Sequence, residues 1–355
     1  MKFSAAAFLA MIMAGVPLLA CGGGEPEPGA QPPESEAPQS SAEAPPAELE
    51  APPAESEVWE GDVAAAARLL RPPEGTEADW EILREKTIWA WELGLDTLSM
   101  GESMAFLGLS FVGAPYVANT LELPGSEQVV VNLQEMDCVT FVENVLALAH
   151  FIRKAEPGTL DSDAETQALY KRLLRQIRYR GGRVDGYPSR LHYFSDWILD
   201  NEAKGLVQEI TRELGGVEDP RAIDFMSTHP QAYRQLANPV VFRAIQNQEV
   251  YLSGLVRYRI PEGEMAAGIS RIQDGDIIAA TSTVQGLDVG HTGLALWQDN
   301  ALHLLHAPNV DGSVEVSDLP LAERVWRLEG MDGIRVVRPL PQDSQLGGSG
   351  PGASP

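Results

Sequence analysis

The chain has 355 residues and a formal net charge of −25, with 26 Lys and Arg against 51 Asp and Glu. Such an acidic balance argues against nucleic acid as a partner and says nothing about fold. There are two cysteines, Cys21 and Cys138, so a commitment of either one elsewhere removes any internal disulfide.

Lys2 supplies a positive first region, and residues 5–20 form a nearly unbroken apolar run. The run is short for a membrane span, which needs about 20 apolar residues, and suits a secretory signal. It ends on Leu18-Leu19-Ala20-Cys21, which resembles a bacterial lipobox. There the signal is removed and the cysteine acylated, and several acyl chains anchor firmly where one does not. We therefore expect a lipoprotein signal peptide over 1–20, lipidation at Cys21, and an exported protein held to a membrane on the periplasmic or cell-surface side. An ordinary signal peptide with a stray cysteine is the alternative.

Residues 22–60 contain no Lys or Arg and are dominated by Glu, Pro, Ala and Ser. Too little apolar surface is present to offset chain entropy, and the Pro-Pro pairs favour extended backbone. Residues 21–60 thus read as a disordered tether, 61–341 as the folded unit, one large domain or a domain with a small subdomain, and 342–355, rich in Gly and Ser, as a flexible tail.

Within the domain, apolar spacing at Trp80, Leu83, Ile88, Trp91 and Leu95 predicts a helix over 80–95. Residues 128–133 read as a Val-rich strand, and 139–153 and 166–179 as helices. The stretch 180–190, broken by three glycines and a proline, is a loop. Residues 239–258 form a helical candidate weakened at Leu252-Ser253-Gly254-Leu255. From Asp276 onward strands are expected at 277–281, 292–297, 302–306, 314–316 and 334–337. Turns lie at Asp274-Gly275-Asp276 and Gln298-Asp299-Asn300. Helices first and an antiparallel meander last make an α+β fold.

Cys138 follows the 128–133 segment and opens the next helix, with Asp137 placed to cap it. A helix N-terminus offers free N–H groups and partial positive charge. Both predict a thiol pKa below its free value and donors beside it for an oxyanion. An exported, unpaired thiol is either buried and inert or reactive; this placement points to a nucleophile.

A thiol nucleophile needs a base. Of six histidines, His291 opens a strand after the glycine-rich turn 286–290, while His303 and His306 share the next strand. Side chains alternate along a strand, so one of these two can join His291 and orient it. His-x-x-His on a strand does not converge on one metal, so neither metal nor cofactor is expected. Glu143 lies five residues beyond Cys138, about 140° around the helix, and reads as an ion-pair partner. Asp276 reads as a turn residue, and Trp297 and Trp326 as core or rim.

Asp137-Cys138, Asp274-Gly275-Asp276-Ile277-Ile278, His291-Thr292-Gly293-Leu294-Ala295 and Leu305-His306-Ala307 together resemble the NlpC-type papain-like peptidases of bacterial cell walls. Gly113-Ala114-Pro115-Tyr116, the run Asp137 to Glu143, the run Arg190 to Trp197, and Gly286-Leu287-Asp288 are similar to the N-acetylmuramoyl-L-alanine amidase-like branch. That resemblance implies a papain-like fold with Cys138 as nucleophile, His291 as base and His306 as orienting residue. It implies Tyr116 as a substrate or oxyanion contact. His192 and Tyr193 either line the substrate cleft or form a core pair. The implied activity is amide hydrolysis in peptidoglycan peptides, at the muramoyl to L-alanine or the D-glutamyl to diamino acid bond; separately, a monomer is expected. A related enzyme on another acyl compound and a non-catalytic wall-binding lipoprotein are the rival readings.

Overall fold

The computed structural model describes residues 72–308, 312–327 and 330–342, and the side chains among them except those of 326 and 327. The signal segment, Cys21, the tether, the end of the chain and the Trp326 side chain lie outside the described residues.

The helices are α1 (Glu77–Glu92), α2 (Met100–Leu109), α3 (Cys138–Lys154), α4 (Asp163–Arg178), α5 (Phe194–Ala203), α6 (Phe225–Thr228), α7 (Pro239–Ser253) and α8 (Leu321–Arg327). The strands are β1 (Val207–Glu209), β2 (Val217–Glu218), β3 (Tyr258–Pro261), β4 (Ile277–Ser282), β5 (Val289–Gln298), β6 (Ala301–His306), β7 (Glu315–Val316) and β8 (Met331–Pro339). All pair antiparallel in the order β2-β3-β8-β4-β5-β6-β7, with β1 also pairing β8. The class is α+β, as expected.

Local chemistry sets the helix starts. Asp137 accepts from the Thr140 amide at 2.7 Å while Thr140 Oγ1 accepts from the Asp137 amide at 2.9 Å, a closed capping box. Ser162 caps α4, which carries Asp163 and Glu165 in its first turn and Arg175 and Arg178 in its last, matching the helix dipole. At the weak point in the sequence, α7 ends on Ser253.

Residues 140–152 of α3 are buried on every side, as a central core helix must be apolar all round. Its charged exception is Glu143, whose Oε2 accepts from Arg178 Nε at 2.7 Å, both side chains 2% exposed. The sheet lies against this helix layer. Ile277, Ala279, Leu294, Leu296, Leu305 and Val337 point to the helices. Ile278, Ala295, Leu302, Leu304, Ile334 and Val336 form a second core on the opposite face. The alternation is the period of two that a sheet buried on both faces requires. A third apolar cluster, including Tyr193, Met226, Ile245 and Leu252, sits under α6 and α7.

Three expectations are corrected. Residues 128–133 are extended but pair with no strand. Their backbone is held instead by side chains and a loop: Val130 O accepts from Arg178, Gln128 O from Tyr179, Asn132 O from Asn144, and the Leu133 and Val131 amides donate to Asp79 and to Pro73 O. These contacts satisfy the same groups that a ladder would. The first helix runs from Glu77, and its inner face is Trp80, Leu83, Thr87 and Ala90, with Ile88 turned outward. Strands β1, β2 and β3 precede the meander, so helices and strands are not cleanly segregated along the chain.

Candidate active site

Cys138 is the first residue of α3, so its amide has no intrahelical acceptor. Its carbonyl accepts from Thr292 Oγ1 of β5 at 2.8 Å, which fixes the start of α3 to the strand carrying His291. The thiol pKa is raised to about 11, against the expected fall. Cys138 is half-buried as a residue, but the thiol's desolvation by the atoms around it is the main cause and the Asp137 carboxylate the second; the Thr292 amide and hydroxyl and the thiol's own amide act in the other direction and are outweighed. Helix-terminal stabilisation of a thiolate is therefore real here but smaller than its desolvation.

Tyr116 lies beside the thiol. Its amide donates to Gly312 O at 2.8 Å, and it bridges Met136 just before the α3 cap. Burial, then Cys138, then Asp137 push its hydroxyl up to about 12. Tyr116 is thus a protonated hydroxyl donor at neutral pH.

A bulge aims His291. Ala280 pairs His291 but Thr281 pairs Val289, leaving Gly290 as the extra residue. A Cβ on Gly290 would fall 2.2 Å from Met331 Cε. Beyond the bulge Thr292 faces α3, and His291 faces the other side with Gly293 and Ala295. His306 of β6 points to that same face, and His291 Nε2 meets His306 Nδ1 at 2.8 Å with the rings perpendicular. Gly293 makes this diagonal contact possible: a Cβ there would lie 2.9 Å from His306 Cβ. His303 joins Ser317 O instead, at 2.8 Å.

Both imidazoles are held neutral. Burial, then the Arg324 charge, lower His291 to about 4. Burial, then His291, then Arg324 lower His306 to about 3. Among the described residues no hydrogen bond joins the Cys138 thiol to His291; the link between them is Thr292, His291's neighbour in the strand. His306 Nε2 is buried without a hydrogen-bond partner, and Glu315 Oε1 stands 3.8 Å from it across the β6–β7 pair. Sequence reasoning missed Glu315 and Arg324. Strand pairing opposite His306 was the available signal for the first.

His192 and Tyr193 are not brought to Cys138. Tyr193 is 4% exposed; its hydroxyl donates to Glu249 Oε1 at 2.7 Å and accepts from the Met226 amide at 2.8 Å. Its position is that of the core reading. His192 packs on Tyr187 and its Nε2 lies 2.9 Å from Tyr187 O. Tyr187 borders a cavity of about 770 Å³ lined also by Leu121, Leu123, Arg234, Pro239 and Val241, to which none of Cys138, His291 and His306 contributes. Asp276 is indeed a turn residue, paired with Arg338 at 2.7 Å. Among the described residues no group of three or more His, Cys, Asp or Glu is arranged to hold a metal ion.

The Arg190 to Trp197 run has a structural task. Asp288 Oδ2 accepts from the Ser195 amide in the first turn of α5 at 2.6 Å, and its Oδ1 from the Val289 amide at 2.8 Å. Asp288 therefore caps α5 from a distance while holding the start of β5.

Residues 106–331 match the family model described as AmiA-like, N-acetylmuramoyl-L-alanine amidase-like. A crystal structure of an N-acetylmuramoyl-L-alanine amidase from Bacteroides uniformis ATCC 8492 is 39% identical, with a TM-score of 0.61, covering 68% of this chain and 99% of that one. A Bacteroides fragilis protein provisionally named as a xylanase is 38% identical over 65% of this chain and 98% of its own, with a TM-score of 0.59. A Legionella pneumophila protein, 21% identical with a TM-score of 0.53, shares the fold over 74% of this chain and 95% of its own. No curated protein matches. By the extent of the family match and the level of identity, the chain belongs to the N-acetylmuramoyl-L-alanine amidase-like family.

Proposed function

We propose that the protein is a cysteine hydrolase of NlpC-type, papain-like architecture that cleaves an amide bond in peptidoglycan peptides through a thioester. The observation that carries this reading is the His291–His306 contact at 2.8 Å on the strand whose next residue, Thr292, holds Cys138. Nucleophile–base contacts commonly close only in the substrate complex.

The proton inventory follows from the site. With the thiol at about 11 and His291 at about 4, the resting pair is neutral, thiol and imidazole. His291 takes the thiol proton on Nδ1 as sulfur attacks the carbonyl carbon, while its Nε2–H donates to His306 Nδ1. In that tautomer His306 carries its own proton on Nε2, toward Glu315. The Cys138 amide and Tyr116 hydroxyl are the available donors for the oxyanion. The imidazolium then protonates the leaving amine, the C–N bond breaks, and water activated by His291 releases the acyl group from sulfur.

The substrate assignment rests on family membership and on the export signal read from the sequence. The protein is tethered through lipid at Cys21 and meets wall peptides outside the cytoplasm as a monomer. A xylanase activity is disfavoured, since glycoside hydrolysis ordinarily uses two carboxylates flanking the bond, and this site presents a thiol and two imidazoles. Purified protein should release new amino groups from sacculi or muropeptides, and Cys138→Ala should abolish the release. Cleavage undiminished by that substitution would refute the mechanism.

A further inference from the structure

α8 lies over β6 and β8 on the sheet face that carries His291 and His306. Leu321 and Val325 of α8 are buried in the core on that face. Arg324 falls at i+3 from Leu321 and beside Val325, so it belongs to the inner side of an amphipathic helix. A charge in that position is ordinarily paired. Arg324 as a whole is half-buried; its Nε atom is buried with no hydrogen-bond partner, and the side chain forms no ion pair among the described residues. Its helix packs on β6, the strand of His306, and its positive charge lowers both imidazoles.

We infer that Arg324 is a binding residue for a carboxylate of the substrate, held next to the scissile amide on the His291–His306 side of the site. A planar guanidinium with an unpaired donor fits a carboxylate bidentately. The arrangement would be costly without such a partner, because an orphaned buried donor carries its desolvation penalty uncompensated. The inference rests on the proposed amide hydrolysis and adds a requirement to it: the favoured peptide bears a free carboxylate near the bond cleaved. A glutamyl residue linked through its side-chain carboxyl has such a group at its α position.

Two synthetic stem peptides test this, identical except that the glutamyl α-position is a free carboxylate or a carboxamide. Wild-type protein should prefer the carboxylate by about tenfold or more in kcat/KM, the scale of a charge-assisted hydrogen bond. Arg324→Gln should bring the ratio near one, mainly through KM for the carboxylate peptide, and Arg324→Lys should retain part of the preference. Thermal melting of each variant separates a folding defect from a binding one. A wild type that cleaves both peptides equally, or an Arg324→Gln protein that keeps the full preference, overturns the inference and leaves the hydrolase reading intact. Absence of cleavage of either peptide and of sacculi by wild type removes the hydrolase reading on which the inference stands.

Discussion

Alkylation of Cys138 by iodoacetamide, followed across pH in the free protein, distinguishes a neutral thiol–imidazole pair from a thiolate–imidazolium pair. With the thiol at about 11, its ionised fraction at pH 7 is about 10⁻⁴, against roughly 3% for a free thiol near 8.5. A more basic thiolate is intrinsically more nucleophilic, with a Brønsted slope near 0.4–0.5, which returns about tenfold. Net reactivity at pH 7 should therefore be about 20 to 40 times below that of a free cysteine. The observed rate should climb about tenfold per pH unit from 6 to 10 with no earlier plateau.

The sign of the turnover profile follows from the same groups. His291 must be unprotonated to act, so kcat/KM should fall only as pH drops through its value of about 4. An ion pair would give a similar turnover profile, which is why the alkylation profile is the deciding measurement. An alkylation rate that is already level between pH 5 and 7, and that drops in His291→Ala, would refute the neutral pair. Slow alkylation together with Cys138-dependent turnover is the combination expected.

Gly293→Ala places a methyl group 2.8 Å from Leu305 O and 2.9 Å from His306 Cβ. We expect kcat to fall about 100-fold as the imidazole pair is displaced by an ångström or so, with far-ultraviolet circular dichroism unchanged; a fall under threefold would contradict the positioning argument. Glu143→Gln leaves the buried Arg178 guanidinium without its counter-charge. The cost should be about 3–5 kcal/mol, seen as a lower denaturation midpoint in urea, and a loss below 1 kcal/mol would contradict it.

Much of the site was legible because short-range chemistry dictates it. Asp137 before an apolar helical pattern is a cap, and a cap fixes Cys138 at the first turn whatever surrounds it. The β5–β6 hairpin was readable from alternation and from Asp299-Asn300, which adopt φ of 48° and 65° as a tight two-residue turn demands. Alternation also required that one of His303 and His306 face His291, and the structure selects His306. What was not legible depends on distant parts of the chain. Val130 and Val131 look like a strand because their composition is that of buried extended backbone. Whether such backbone finds a strand or the side chains of Arg178 and Asn144 is decided by tertiary packing. The thiol pKa was misjudged for a related reason. The helix terminus is visible in the sequence, whereas the density of distant residues packed around the thiol is not.

The run Arg190 to Trp197 shows the same limit from the functional side. Its His and Tyr suggest a cleft lining, yet Tyr193 is spent on Glu249 and the Met226 amide. The chemistry passes instead through the Ser195 amide to Asp288, and through Ser195 Oγ to Arg335, which is paired with Glu209. Gly286 must be glycine for the turn before Asp288 to close: its φ is 81°, and a Cβ there would lie 2.2 Å from Asp224 Oδ1. The two motifs, 93 residues apart at the Ser195–Asp288 bond, therefore form one brace at the entry to β5. The brace fixes the strand just before the Gly290 bulge, and the bulge sets which face His291 occupies. Residues away from Cys138 thus decide where the His291 imidazole stands.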